Sequence, residues 1–81
     1  MTGSAWQETD KGLIKRFSFS DFASPLAFVN GVGKLAEQRQ HHPDIALGWG
    51  YAEITLFTHS ENAVTNKDHE LAAAIDLLHD E

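Results

Sequence analysis

"GWGYAEITLFTHS", Gly48 to Ser60, is the stretch on which the reading of the chain turns. From Trp49 to Thr58 its side chains alternate in character. Ala52, Ile54, Leu56 and Thr58 take one face; Trp49, Tyr51, Glu53, Thr55, Phe57 and His59 take the other. A period of two marks a strand covered on one face. Such a strand needs partners, and the sequence before it supplies them. Ile45 and Leu47 suit a strand that turns back at Gly48 or Gly50. Leu13, Lys15, Phe17 and Phe19 share one side of a strand over 13–19, and Trp6 to Glu8 pair with it across the turn-like "TDKG", Thr9 to Gly12.

The cover for that sheet comes from two helical segments. Between the strands, Phe22, Leu26, Val29, Gly33 and Ala36 follow helical spacing, with Phe28, Val32 and Leu35 widening the stripe. Ser24 before Pro25 suits an N-cap followed by a proline at the first helical position, with Asp21 as a competing start. Gly31 and Gly33 each weaken this helix by about 1 kcal/mol unless a close neighbour needs the space. Pro43 disfavours helical geometry at His42, so the helix should end near His41. After the loop "HSENAV", Thr65 begins a second helix, with Asp68 at the capping-box position and Leu71, Ala74, Ile75 and Leu78 as its stripe. The expected fold is α+β: an antiparallel sheet of three to four strands with two helices packed on one face. Residues 1–81 read as a single domain.

Composition narrows the function. Eighty-one residues, 42% of them apolar, suit one small globular domain with a thin core. There is no cysteine, so neither a disulfide nor a thiolate metal site can reinforce it. A homo-oligomer is the remaining source of stability, with the aromatic strand face of Trp49, Tyr51 and Phe57 as the surface to be covered. Six basic against twelve acidic residues give a net charge of −6. That argues against direct nucleic-acid contact or an anionic membrane surface, where Lys and Arg must neutralise phosphates. "MTGSAWQE" lacks the pattern of a signal peptide, and no apolar run approaches the ~20 residues that span a bilayer. A soluble, cytoplasmic domain is expected.

His41, His42, His59 and Asp68 stand out because each falls at the end of a regular element, where side chains can converge without cutting through the core. Each has a simpler explanation. The histidine pair could meet the dipole at a helix C-terminus, His59 could be an exposed loop residue, and Asp68 could only cap its helix. His69 and His79 read as solvated helix residues. Three histidines and a carboxylate could ligate zinc, but adjacent histidines diverge, unlike an i, i+4 pair, so no metal site is assigned.

The spacing alters that balance. Glu37, then His41-His42-Pro43, then aromatic Trp49, His59 and Asp68 together resemble the signature of the pterin-4a-carbinolamine dehydratases, also called 4a-hydroxytetrahydrobiopterin dehydratases. Trp6, "RFSFSDF" and "ITLFTH" extend the resemblance weakly over nearly the whole chain. Two departures are visible. Family members commonly carry a further helix before the tryptophan, whereas five residues precede Trp6. Ala63-Val64-Thr65 stands where Gly-Leu-Thr or Gly-Leu-Ser is common, and alanine resists the positive φ that glycine allows.

The resemblance implies loss of water from a 4a-hydroxy-tetrahydropterin to give the quinonoid dihydropterin, in pterin recycling, with no metal or cofactor. His41 and His59 would exchange protons with the substrate, and His42 with Pro43 would shape the pocket and assist. Thr58 to Ser60 would hold the pterin ring, Trp6 would wall it, and Glu37 or Asp68 would orient an imidazole. Imidazoles titrate near pH 6.5, so one can be protonated while another is neutral. A homodimer or homotetramer is implied too, with a hydroxylase or a transcription factor as conceivable protein partners. The rival reading is a non-catalytic protein-binding or dimerisation module that kept the fold.

Overall fold

The computed structural model describes residues 5–80. The elements run β1 (Gln7–Thr9), β2 (Gly12–Ser18), α1 (Ala23–Arg39), β3 (Asp44–Gly48), β4 (Tyr51–Leu56) and α2 (Asn66–Asp80). All four strands pair antiparallel in the order β1-β2-β4-β3. The fold is thus α+β, with four strands and two helices. The expectation for the segment before Trp6 falls mostly on residues 1–4, outside the described residues.

The alternation in β4 does what its period requires. Ala52, Ile54 and Leu56 are wholly buried and meet Leu13 and Phe17 of β2 on the covered face. Phe28 and Val32 of α1 and Leu71, Ala72 and Ile75 of α2 complete the core. Gly12 lets β2 start hard against β4: its φ is +130°, and a Cβ there would stand 2.3 Å from the Leu56 carbonyl oxygen.

Several local expectations need correction. Trp49 lies in the turn between β3 and β4, 70% exposed, because the strand begins only at Tyr51. The buried stripe of α1 is Pro25, Phe28, Val32 and Ala36, while Phe22 and Leu26 are 46% and 42% exposed. The phenylalanine ring at position 28 sets the rotation, since it packs on both Phe17 and Phe19. The N-cap position falls on Phe22, which makes no side-chain cap bond. Asp21, one residue earlier, supplies the acceptor instead of Ser24, its Oδ1 taking the Ser24 N–H at 2.9 Å. A carboxylate at the positive end of the dipole is the better acceptor there. Gly31 does answer a close neighbour, as a Cβ would lie 2.8 Å from Leu78; Gly33 has nothing within 4 Å. His79 is not simply solvated, since its ring packs among Phe17, Phe19 and Phe28 at 4.9–5.6 Å.

Candidate active site

The corner after α1 is built by backbone geometry. Gln40 adopts the left-handed conformation, φ 52°, and its N–H bonds to the Glu37 carbonyl while His41 N–H bonds to that of Ala36. This pair of bonds is a Schellman motif, which closes the helix two residues before the position Pro43 alone would dictate. The reversal sends the two histidines in different directions. His41 turns inward, its side chain 14% exposed; His42 stays outside, 54% exposed.

His41 meets Asp68 from the first turn of α2, with Nε2 2.5 Å from Oδ1. The Asp68 side chain is completely buried, and each of its oxygens is used. Oδ2 accepts the Thr58 hydroxyl at 2.7 Å and the Thr65 N–H at 2.9 Å. Burial pushes the Asp68 carboxyl up, but the bonds from His41, Thr65 and Thr58 and the charge of His41 outweigh it and hold the group below the usual carboxylate range. An ionised carboxylate only accepts, so His41 Nε2 carries hydrogen. Its Nδ1 is then the atom free to exchange a proton. The bond from Thr65 N–H also makes Asp68 the second half of a capping box. Asp68 is cap and imidazole partner at once.

The remaining residues singled out above divide into those near this pair and those apart from it. Thr58, 2% exposed, ties the end of β4 to Asp68, so Thr58, His59 and Ser60 leave the sheet beside it. Thr58 spends its polar atoms internally: its hydroxyl bonds Asp68 and Thr65, and its backbone pairs with Ala63. His59 and Ser60 are exposed in the following turn, and the His59 ring lies 5.1 Å from that of Phe57. The positive φ of this loop falls on Asn62, at 53°, and Ala63 sits in a bridge with Thr58, so alanine at 63 is unstrained. His42 Nε2 pairs with Glu37 Oε2 at 2.6 Å on the surface. That pair, with Pro43 and Ile45, borders an open groove between α1 and β3.

Trp6 is elsewhere. Its indole N–H points between both oxygens of Asp76 at 3.1 Å, and its ring packs edge-on against Phe17. Asp76 follows Asp68 by eight residues, about 12 Å along α2. Lys15 Nζ completes this second cluster at 2.8 Å from Asp76. Residue types alone gave no sign of it, because Lys15 and Asp76 are separated by 61 positions. Thr65, expected only to start α2, also joins the site through Thr58 and Asp68, and the Thr-x-x-Asp spacing is its signal in the sequence. Among the described residues, no three of His, Asp and Glu converge at metal-ligating geometry. Nor is any described helix long and apolar enough to cross a membrane.

Comparison with known proteins identifies the family of the chain. The family described as Pterin 4 alpha carbinolamine dehydratase matches residues 1–78. A Rubrobacter xylanophilus protein provisionally named pterin-4-alpha-carbinolamine dehydratase is 49% identical over 74 residues, which are 90% of this chain and 69% of that protein. A provisionally so named protein of Rickettsia bellii is 42% identical over 74 residues, 90% of this chain and 66% of its own length. The chain thus spans about two thirds of these relatives. The crystal structure of a transcriptional coactivator/pterin dehydratase from Brucella melitensis superposes with a TM-score of 0.84 at 32% identity, covering 90% of this chain and 80% of that one. A pterin dehydratase-like protein described as a RuBisCO assembly factor in the alpha-carboxysome superposes at 0.79, also at 32% identity, covering 93% and 89%. The chain belongs to the pterin-4-alpha-carbinolamine dehydratase family.

Proposed function

We propose that this member of the family removes water from a 4a-hydroxy-tetrahydropterin, giving the quinonoid dihydropterin, by histidine acid–base chemistry. The observation that carries the reading is the buried Asp68 carboxylate held 2.5 Å from His41 Nε2. A mere helix cap needs only the Thr65 bond. An oriented imidazole with a free Nδ1 is what proton exchange requires.

In this scheme hydroxide leaves C4a as water after accepting a proton, and a base removes the N5 proton as the C4a=N5 bond forms. His41 and His59 are the exchanging groups, with His42 assisting while Glu37 fixes its ring. The pterin ring lies between the His41–His42–Pro43 corner and the Thr58–Ser60 turn. Thr58 contributes shape rather than its hydroxyl, which is already engaged. The balance of the reaction calls for no redox partner, and positioned proton transfer of this kind contributes about 10²–10⁴-fold. Pterin recycling in the cytoplasm, in a homodimer or homotetramer, belongs to the same reading.

The test is direct: freshly generated 4a-hydroxy-tetrahydropterin is mixed with purified protein, with and without chelator, and dehydration is followed optically. Acceleration that survives the chelator is expected. A rate equal to the uncatalysed one would move the assignment to a non-catalytic protein-binding module. That second reading is favoured by one observation: of the two solved neighbours, one is named a transcriptional coactivator/pterin dehydratase and the other a RuBisCO assembly factor. Charge −6 suits protein contacts better than direct nucleic-acid contact.

A further inference from the structure

Thr65 has one hydroxyl hydrogen and a choice of neighbours, and the surrounding bonds decide where it goes. Thr58 Oγ1 lies 2.7 Å from Asp68 Oδ2, which can only accept. The single Thr58 hydrogen is therefore committed to Asp68. The 2.8 Å bond between the Thr58 and Thr65 hydroxyls must then run from Thr65 to Thr58. Thr65 Oγ1 in turn faces the Lys67 N–H at 3.3 Å, the weak capping bond of α2. The polarity is continuous: Lys67 N–H to Thr65, Thr65 O–H to Thr58, Thr58 O–H to Asp68 Oδ2, with Oδ1 left for His41 Nε2–H.

We infer that Thr65 is a positioning residue for His41, acting through the Thr58 hydroxyl and the Asp68 carboxylate, beyond its place at the start of α2. The inference rests on the dehydratase reading for its kinetic consequence, but not for its structural one. Without the Thr65 donor, the Thr58 hydroxyl still donates to Asp68 Oδ2 but is no longer held from its other side, so the direction of that bond is no longer fixed. The two donors on Oδ2 then hold the carboxylate less rigidly, and the His41 bond on Oδ1 loosens. A capping role alone predicts none of this. Any residue that starts the helix would serve.

Thr65→Gly separates the roles, because glycine starts helices nearly as well as threonine yet has no hydroxyl. Thr65→Ser restores the donor. In wild type, proton NMR should find the His41 Nε2–H as a downfield, slowly exchanging resonance, absent in His41→Ala. Thr65→Gly should broaden it or move it upfield, and Thr65→Ser should restore it. The kcat per folded molecule should fall about tenfold in the glycine variant with KM little changed, the scale of a lost orienting partner, and recover in the serine variant. An unchanged resonance together with unchanged kcat in a folded Thr65→Gly protein would overturn the inference and leave Thr65 a cap. If wild type itself fails to accelerate dehydration, the dehydratase reading falls, and the resonance comparison still decides the role of Thr65.

Discussion

His41 Nε2 and Asp68 Oδ1 stand 2.5 Å apart, joining the end of α1 to the first turn of α2 across 27 positions of sequence. Asparagine at 68 probes this bond sharply. Its amide cannot accept on both sides, so keeping an acceptor for Thr58 and Thr65 turns an N–H toward His41. The imidazole must then present a bare Nε2 and move its hydrogen to Nδ1. We expect Asp68→Asn to show the Nδ1–H tautomer by ¹⁵N NMR and to lose at least about tenfold in dehydration rate. Asp68→Ala should add a stability loss of about 3 kcal/mol or more, because buried donors are left without acceptors. Equal rates per folded molecule in wild type and Asp68→Asn would reduce Asp68 to a cap.

The histidines should sort by position. His41→Ala and His59→Ala should each slow dehydration by about 10–10³-fold, with the double variant losing less than the product. His69→Ala is the appropriate control and should match wild type. His79→Ala is not one, because its ring packs on three phenylalanines and its loss should lower stability by about 1 kcal/mol. Kinetics normalised to folded protein by circular dichroism would separate these effects, and a His69→Ala rate as low as that of His41→Ala would defeat the assignment.

Acid should weaken the fold through Asp68. Its folded pKa lies below the ordinary carboxylate value of about 4, so its contribution is fully present above that pH. That contribution is lost as pH falls through the folded value, because the unfolded chain then binds the proton first. Urea titrations between about pH 3 and 7 should show a smaller acid loss in Asp68→Asn than in wild type. Identical slopes would mean that Asp68 titrates as it does in the unfolded chain.

The Trp6 cluster should matter for stability and not for turnover. Trp6→Phe removes the indole donor to a partly exposed Asp76 and should cost about 1 kcal/mol in chemical denaturation. The dehydration rate per folded molecule should stay within about twofold. A large rise in KM would instead put the indole at the pterin, as its expected role as a pocket wall requires.

Much of the architecture was legible in the residues because it depends on local periodicity. Ala52, Ile54 and Leu56 announce a strand with one covered face whatever covers it, and Thr65 with Asp68 announces a helix start. The rotation of α1 was not legible, because Phe22, Leu26 and Phe28 are equally apolar. Which of them is buried depends on where Phe17 of β2 and Phe19, just past its end, stand against the helix. The acceptor at the start of α1, Asp21 rather than Ser24, was settled by a similar contest between two competent neighbours.

For the candidate site, the sequence by itself determined the residue types and their order: two imidazoles before a proline, a third after a strand, an acid three residues into a helix. Only the tertiary structure decided that His41 and His42 serve different carboxylates, that Thr58 and Thr65 converge on Asp68, and that Trp6 anchors to Asp76. The physical reason is that spacing along a chain constrains direction only within one element. Once Gln40 reverses the backbone in the left-handed conformation, the partner of His41 is whatever the packing of α2 on the sheet brings to that corner.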